Sequence, residues 1–381
     1  MNKRIAFAGT RGLPANYGGF ETAVDEITNR FISSGFEVDV FCRRSHSTNQ
    51  PHEDKKRRLL YVKGSSKPWL ETFASAYQTG TYLLKHRHEY DHVFWFNNAN
   101  FPGILLTLFT GIPVTVNTDG LEWRRRKWTL PFKIYYYSTS WLISRIVPRL
   151  ISDSCGIQSF YKKIFWRDSL MIPYGVPKSP EVSWEQQAKI LQSFGLESDK
   201  YYLQITRIEP DNLPVEIATN FRLTKLSDKG YKLLIVGYKD ETPYSKKLFD
   251  LNGKDGIIIN PANYDQQILY SLRKNCFCYI HGNSVGGTNP ALLEAMSVCP
   301  RIMAIDVVFN KEVLGPNGNF FSLENLYQVF SNSSAFPNNN IALKKTIMEY
   351  YNWDDVSEKY LDIVKTLDHA RNGLLKNSKS R

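Results

Sequence analysis

Short apolar runs alternate with segments of helical periodicity twice along this chain, and that alternation leaves few folds open. In the first half, Arg4–Ala8, Val38–Cys42, Leu59–Val62, Val93–Phe96 and Val114–Val116 read as buried strands, with helices expected over Phe20–Ser34 and Trp69–Leu84. Ile151–Cys155 and Leu170–Pro173 are further strands around a helix Gln158–Trp166. The pattern restarts after a helix Val182–Phe194. Strands Tyr201–Ile205, Lys232–Gly237, Gly256–Ile259 and Phe277–Ile280 are separated by helices Pro214–Leu226, Tyr244–Leu251 and Tyr264–Lys274. Strands that are apolar throughout and spaced by helices belong to parallel sheets covered on both faces. The expected class is therefore α/β, with two Rossmann-like doubly wound domains facing an interdomain cleft and ligands at the carboxyl ends of strands. With 381 residues there is room for two cores. Pro173-Tyr174-Gly175-Val176-Pro177 marks the break between them. The expected division is 1–175, 176–340, and C-terminal helices in 341–381 that fold back across the cleft and fray from Asn372.

Two loops sit where such a fold binds ligands. After Phe277–Ile280 comes HGNSVGGTNPALLEAM, His281–Met296, with Gly282, Gly286 and Gly287 ahead of Asn289-Pro290 and a helix-forming run. A proline behind a polar cap starts a helix. Strand, glycine-rich loop and helix aim bare N–H groups and a positive dipole end at an anion. Glu294, about one turn in, is placed to accept hydrogen bonds from sugar hydroxyls. Spacing alone does not separate this from a glycine turn that merely joins strand to helix. The second loop is GTRGLPANYGGFE, Gly9–Glu21, in which Gly18 and Gly19 open a helix. It is not the GxGxxG of nicotinamide-dinucleotide sites.

The net charge of +11 lies wholly in the first half: residues 1–178 hold 25 Lys and Arg against 14 Asp and Glu, and the remainder 23 of each. That half is expected to face an anionic partner. NTDGLEWRRRKW, Asn117–Trp128, concentrates this charge. Asp119 and Glu122 stand at a strand's carboxyl end, ahead of Arg124, Arg125, Arg126, Lys127 and Trp128. The aromatic and basic stretch Trp128–Leu150 follows, which suits an anionic leaflet. Glu122 to Trp128 are accordingly expected on the acceptor or membrane side. No nucleic-acid motif is visible. Phe101–Val116 is broken by Pro102, Gly103, Gly111 and Pro113 and reads as helix plus strand, not as a membrane span. The five cysteines are odd in number and scattered, as buried free thiols in the cytosol would be.

In this order, GTRGLPANYGGFE, NTDGLEWRRRKW, ISDSCGIQSFYKK (Ile151–Lys163) and HGNSVGGTNPALLEAM resemble the bacterial rhamnosyltransferases of glycosyltransferase family 4, over the chain to about residue 330. The resemblance implies the GT-B fold and a retaining, metal-independent sugar transfer without a cofactor. The implied donor is a nucleotide sugar, dTDP-rhamnose first. The implied acceptor is a lipid-diphosphate-linked saccharide at the inner face of the cell membrane, in capsule or O-antigen synthesis. A UDP-sugar transferase, a sugar-nucleotide epimerase and a non-catalytic polysaccharide-assembly protein are the alternatives. Carried over by residue, Glu294 matches the ribose-binding Glu, and Gly286, Gly287 and Thr288 the diphosphate loop. Arg207 matches the diphosphate-clamping Arg, and Gly18 and Gly19 the glycines beside it. Asp119 falls where a His near the reacting sugar is usual, which makes Asp119, Arg207 and Glu294 the expected catalytic set. Gly286 stands in place of the family's first Glu and Asn212 in place of its Lys. His281 or Asn289 is the expected substitute contact to the donor sugar.

Overall fold

The structure is a computed structural model that describes residues 3–14, 19–44, 53–54, 57–65, 67–118, 120–333 and 337–378. Two compact units divide the chain. One comprises Met1–Gly120, Pro131–Gly175 and Asn352–Arg381; the other comprises Leu121–Leu130 and Val176–Tyr351. Gly18 and Asp119 lie outside the described residues.

The first unit begins with β1 (Arg4–Ala8), α1 (Gly19–Ser33), β2 (Glu37–Arg43), β3 (Glu53–Asp54), β4 (Arg57–Val62) and α2 (Pro68–Lys85). It continues with β5 (His92–Phe96), α3 (Phe101–Leu108), β6 (Val114–Asn117), α4 (Leu130–Ile146), β7 (Arg149–Ser152), α5 (Cys155–Ile164) and β8 (Leu170–Met171). Its sheet runs β3-β4-β2-β1-β5-β6-β7-β8. All pairings are parallel except that of the two-residue edge strand β3. Chain order reverses between β1 and β5, the crevice where doubly wound sheets take ligands.

Phe101–Leu108 is indeed helical, and two glycines let it lie against α2. A Cβ on Gly103 would come 2.2 Å from the Ala76 carbonyl oxygen, and one on Gly80 would come 2.9 Å from that of Gly103. No helix among the described residues is long and apolar enough to cross a membrane.

The second unit contains α6 (Trp184–Ser193), β9 (Tyr201–Ile205), α7 (Pro214–Leu223), β10 (Lys232–Tyr238), α8 (Pro243–Phe249), β11 (Ile257–Pro261) and α9 (Gln266–Asn275). There follow β12 (Cys278–His281), α10 (Pro290–Val298), β13 (Ile302–Ile305), α11 (Val308–Leu314), β14 (Asn319–Phe321), α12 (Leu326–Ser331) and α13 (Asn340–Tyr350). Its all-parallel sheet runs β11-β10-β9-β12-β13-β14, so here the order reverses between β9 and β12. Tyr202, Phe221, Phe277 and Phe330 pack edge to face in the core beside this sheet, adding directional contacts to apolar burial.

The two C-terminal helices do not stay together. α13 remains in the second unit, packed on α10, while α14 (Trp353–Ser378) joins the first and packs on α1. Tyr360 of α14 is buried, its ring 5.2 Å from that of Phe94, and its hydroxyl accepts from Asn117 Nδ2 at 3.2 Å. Arg30 of α1 reaches Asp354 at 2.6 Å.

His92 opens β5 fully buried, its Nε2 3.0 Å from the Thr115 hydroxyl and its Nδ1 without a partner among the described residues. Burial, with the charge of Arg149 second, pushes its pKa down to about 3. Burial alone does the same to His281, also to about 3. Both folded values lie below the roughly 6.5 of an unfolded histidine. Their contribution to stability is therefore complete above that pH and is lost as pH falls toward the folded value, at about 1.4 kcal/mol per pH unit for each histidine. His92→Gln, which retains a partner for Thr115, is expected to flatten the decline in melting temperature between pH 6 and 4. Identical wild-type and variant slopes would show that His92 takes no part in acid destabilisation.

Candidate functional site in the second unit

The carboxyl ends of β9 and β12 carry the residues of interest. Beyond β9 the chain passes Thr206 and Arg207 into a 3-10 turn, Pro210–Asn212. Arg207 is more than half exposed, and its ion pair with Glu209 is long at 3.9 Å. Asn212 is not an exposed stand-in for a lysine. It is buried, donates from Nδ2 to the Arg207 carbonyl at 2.8 Å, and its own carbonyl takes Gln204 Nε2 at 2.9 Å. These bonds fix the backbone that presents Arg207.

The loop after β12 packs on that turn. A Cβ on Gly282 would lie 2.3 Å from the Asn212 carbonyl oxygen, so only glycine permits the approach. The Ser284 amide and hydroxyl both donate to the Asp211 carbonyl, at 2.9 and 2.8 Å, and Thr206 donates to Asn283 Oδ1 at 3.2 Å. Gly286 has φ +145°, a conformation that side chains rarely adopt. The missing Glu at this position thus has a backbone reason. Gly287 is half-buried and Thr288 buried. Asn289 caps α10, its side chain accepting from the Ala291 amide at 3.0 Å. That oxygen holds the start of the helix. His281 is buried beneath the loop's start, and its Nε2 has no partner among the described residues.

Glu294 lies in the second turn of α10 and is paired with Arg273 from α9. The Arg273 side chain is 5% exposed. Burial works against its charge, but Glu294, Tyr279 and Cys299 outweigh this and hold the guanidinium pKa above its ordinary value. Arg273 therefore fixes the rotamer of the residue expected at the ribose.

The largest departure from the sequence expectation concerns Glu122, Arg124, Arg125, Arg126, Lys127 and Trp128. Leu121–Leu130 belongs to the second unit and packs on the Arg207–Asn212 turn rather than forming an outer arm of the first. The Arg126 amide donates to the buried Asp211 carboxylate at 2.9 Å, and Lys127 pairs with Glu209 at 3.2 Å. Glu122 is buried between Arg125 Nε and the Trp128 indole N–H, the latter at 3.0 Å. Arg124 is exposed. Burial raises the Glu209 pKa, but Arg207, Lys127 and Arg125 together bring it below its ordinary value. Three cations thus surround one carboxylate beside the glycine loop. Asp211, Ser284 and Arg273 were not picked out from sequence. Their roles run through backbone amides or a neighbouring helix, which side-chain patterns do not signal.

In the first unit, Gly19 opens α1 at the β1–β5 crevice, where Gly9 has φ +94° and a Cβ would lie 2.3 Å from the Phe96 carbonyl oxygen. Glu21, in the first turn of α1, accepts from the Arg11 amide at 2.9 Å and closes the near side of that loop.

The pattern of a domain of unknown function (DUF1972) matches residues 2–63 and 108–177. No curated protein matches the sequence. The structure is similar to that of sucrose-phosphate synthase from Thermosynechococcus elongatus, 13% identical, with a TM-score of 0.77 over 97% of this chain and 100% of that one. It is similar to a glycosyltransferase from Rickettsia africae ESF-5, 17% identical, with a TM-score of 0.69 over 96% and 98%. Anabaena HepE in complex with UDP is 12% identical, with a TM-score of 0.70 over 96% and 100%. At these identities the likeness shows the fold, which is GT-B.

Proposed function

We propose that this chain is a retaining, metal-independent glycosyltransferase that moves a sugar from a nucleoside diphosphate to a lipid-linked saccharide. The observation that carries the reading is the convergence, at the β9–β12 reversal of a GT-B fold, of Arg207, the Gly282–Asn289 loop and the start of α10. In the transfer, the acceptor hydroxyl oxygen bonds to the anomeric carbon while the bond from that carbon to the diphosphate oxygen breaks. The bonding pair leaves with the diphosphate, and the hydroxyl proton passes to it. Charge growing on the leaving group is met by guanidinium, loop amides and a helix N-terminus held in place beforehand.

dTDP-rhamnose is the donor proposed from the sequence resemblance. A UDP-sugar is the second reading, favoured by the solved complexes of HepE with UDP and UDP-glucose. A membrane-borne acceptor is supported by the first unit, where α4 exposes Ile134, Tyr137, Trp141 and Ile146 beside Lys133 and Arg145. Ile164 and the strongly exposed Trp166 follow Lys162 and Lys163 in the same unit. Aromatic and aliphatic side chains among cations suit an anionic leaflet.

One set of melts tests the reading: the protein alone, with UDP, dTDP, UDP-glucose and dTDP-rhamnose, and with phosphatidylglycerol or phosphatidylcholine vesicles pelleted in parallel. A nucleotide at 100 times its Kd adds about 2.7 kcal/mol and raises the midpoint by several degrees. No shift with any nucleotide would sink the transferase reading, and a shift with UDP compounds alone would replace rhamnose. Equal retention on both vesicles would remove the leaflet. Isomerisation of a donor incubated without acceptor would indicate an epimerase.

A further inference from the structure

We infer that Arg125, carried on the Leu121–Leu130 segment, is a donor-binding residue whose guanidinium meets the nucleoside diphosphate at the Gly286 turn. The inference rests on the glycosyltransferase reading and adds to it a residue from a stretch that sequence order assigns to the other half of the chain.

Three observations place Arg125 there. The segment is tied to the turn after β9 by the Arg126 amide, 2.9 and 3.3 Å from the two Asp211 carboxylate oxygens, and by Lys127 on Glu209 at 3.2 Å. The same Asp211 takes Ser284 of the glycine loop on its carbonyl, so arm, turn and loop form one hydrogen-bonded unit. A Cβ built on Gly286 would then lie 3.8 Å from Arg125 Nη2 and within 4 Å of no other atom of the described residues. With φ +145° that position is shut to side chains, and the guanidinium faces the space a side chain would have taken.

Orientation follows from Glu122. Its carboxylate takes Arg125 Nε on one oxygen and the Trp128 indole N–H on the other, and the Glu122 and Arg125 side chains are each 11% exposed. A planar fork held by Nε loses little further freedom when its outer nitrogens meet an anion, and it suits two oxygens at once. A diphosphate is the anion that fits. It carries charge on two phosphates, and Lys127 at 3.2 Å and Arg207 at 3.9 Å already share Glu209, on which Arg125 also acts. A neutral sugar hydroxyl would gain less from a guanidinium than phosphate oxygens do.

Arg125→Met, Arg125→Lys and Arg126→Met are compared with the wild-type chain by calorimetry, with UDP, dTDP, uridine and thymidine as probes. Arg125→Met is expected to weaken the bound diphosphate about 10- to 100-fold and to leave the matching nucleoside unchanged. Arg125→Lys should recover part of the loss. Arg126→Met keeps the amide bonded to Asp211 and should lose far less diphosphate affinity than Arg125→Met; an equal loss overturns the assignment, because any cation of the arm would then serve. Unchanged diphosphate affinity in Arg125→Met overturns the assignment. An equal loss for nucleoside and diphosphate does so too, because it would mean that the arm was merely unseated. If the wild-type chain binds neither diphosphate, the glycosyltransferase reading itself fails and this one falls with it. Binding by wild type with no effect of Arg125 sinks only the assignment of Arg125.

Discussion

Arg207→Ala is expected to lower turnover about 10²–10³-fold, the usual result of removing one donor aimed at developing charge, while the melting temperature stays within about a degree of wild type. The two halves of that expectation have different origins. Arg207 is 58% exposed and 3.9 Å from its only ion-pair partner among the described residues, a geometry that contributes little to stability. Glu209 still keeps Lys127 at 3.2 Å when Arg207 is gone. The backbone beneath Arg207 is held by Asn212 and Gln204, neither of which uses the Arg207 side chain. Arg207→Lys should fall between wild type and Ala, because it keeps the charge and loses the bidentate fork. The measurement is kcat with the donor and acceptor accepted by the wild-type chain, beside a thermal melt. A variant with normal kcat would remove Arg207 from the chemistry.

Glu294→Ala should behave in the opposite way, with a large loss of stability on the order of 3–5 kcal/mol. The carboxylate pairs with Nη2 of Arg273, whose side chain is 5% exposed and whose Nε has no partner among the described residues. Removing it leaves a buried guanidinium uncompensated. The midpoint should drop by roughly 10 °C, taking about 2–4 °C per kcal/mol for a unit of this size. The double variant Arg273→Met with Glu294→Leu removes both charges and should recover most of the stability. Donor affinity should stay low in the double variant if Glu294 also accepts from the ribose. A single variant within about 1 kcal/mol of wild type would show that the pair does not constrain the fold. A stable double variant with full donor affinity would confine Glu294 to a structural role.

How much could be read in advance depended on the physical origin of each feature. Strands β1, β5, β9, β10 and β12 are near-continuous apolar runs, since both sheet faces are covered, and are legible within a residue or two. β14 has three residues, and nothing in Asn319-Phe320-Phe321 signals a strand before its neighbour β13 is in place. The two final helices follow one another in sequence, yet α13 and α14 belong to different units because of their packing on α10 and α1. At the site, the glycine loop and Arg207 were visible as motifs. The Glu122–Trp128 arm was misplaced because its basic residues run on into the aromatic face of α4, whereas its anchor is a backbone amide on Asp211. Arg273 is a basic residue in the last turn of α9. Only the approach of α10, bearing Glu294, makes it a buried partner.

The route of the chain through its two units has a consequence for recombination. Leu121–Leu130 is encoded well before Gly175, yet it completes the unit that otherwise runs from Val176 to Tyr351. A chimera joined at Gly175 would not exchange intact modules. It would set a foreign decapeptide against Asp211 and Glu209, and on the assignment of Arg125 proposed above the diphosphate contact would come from the upstream parent. A graft meant to transplant the second unit whole has to carry residues 121–130 with it.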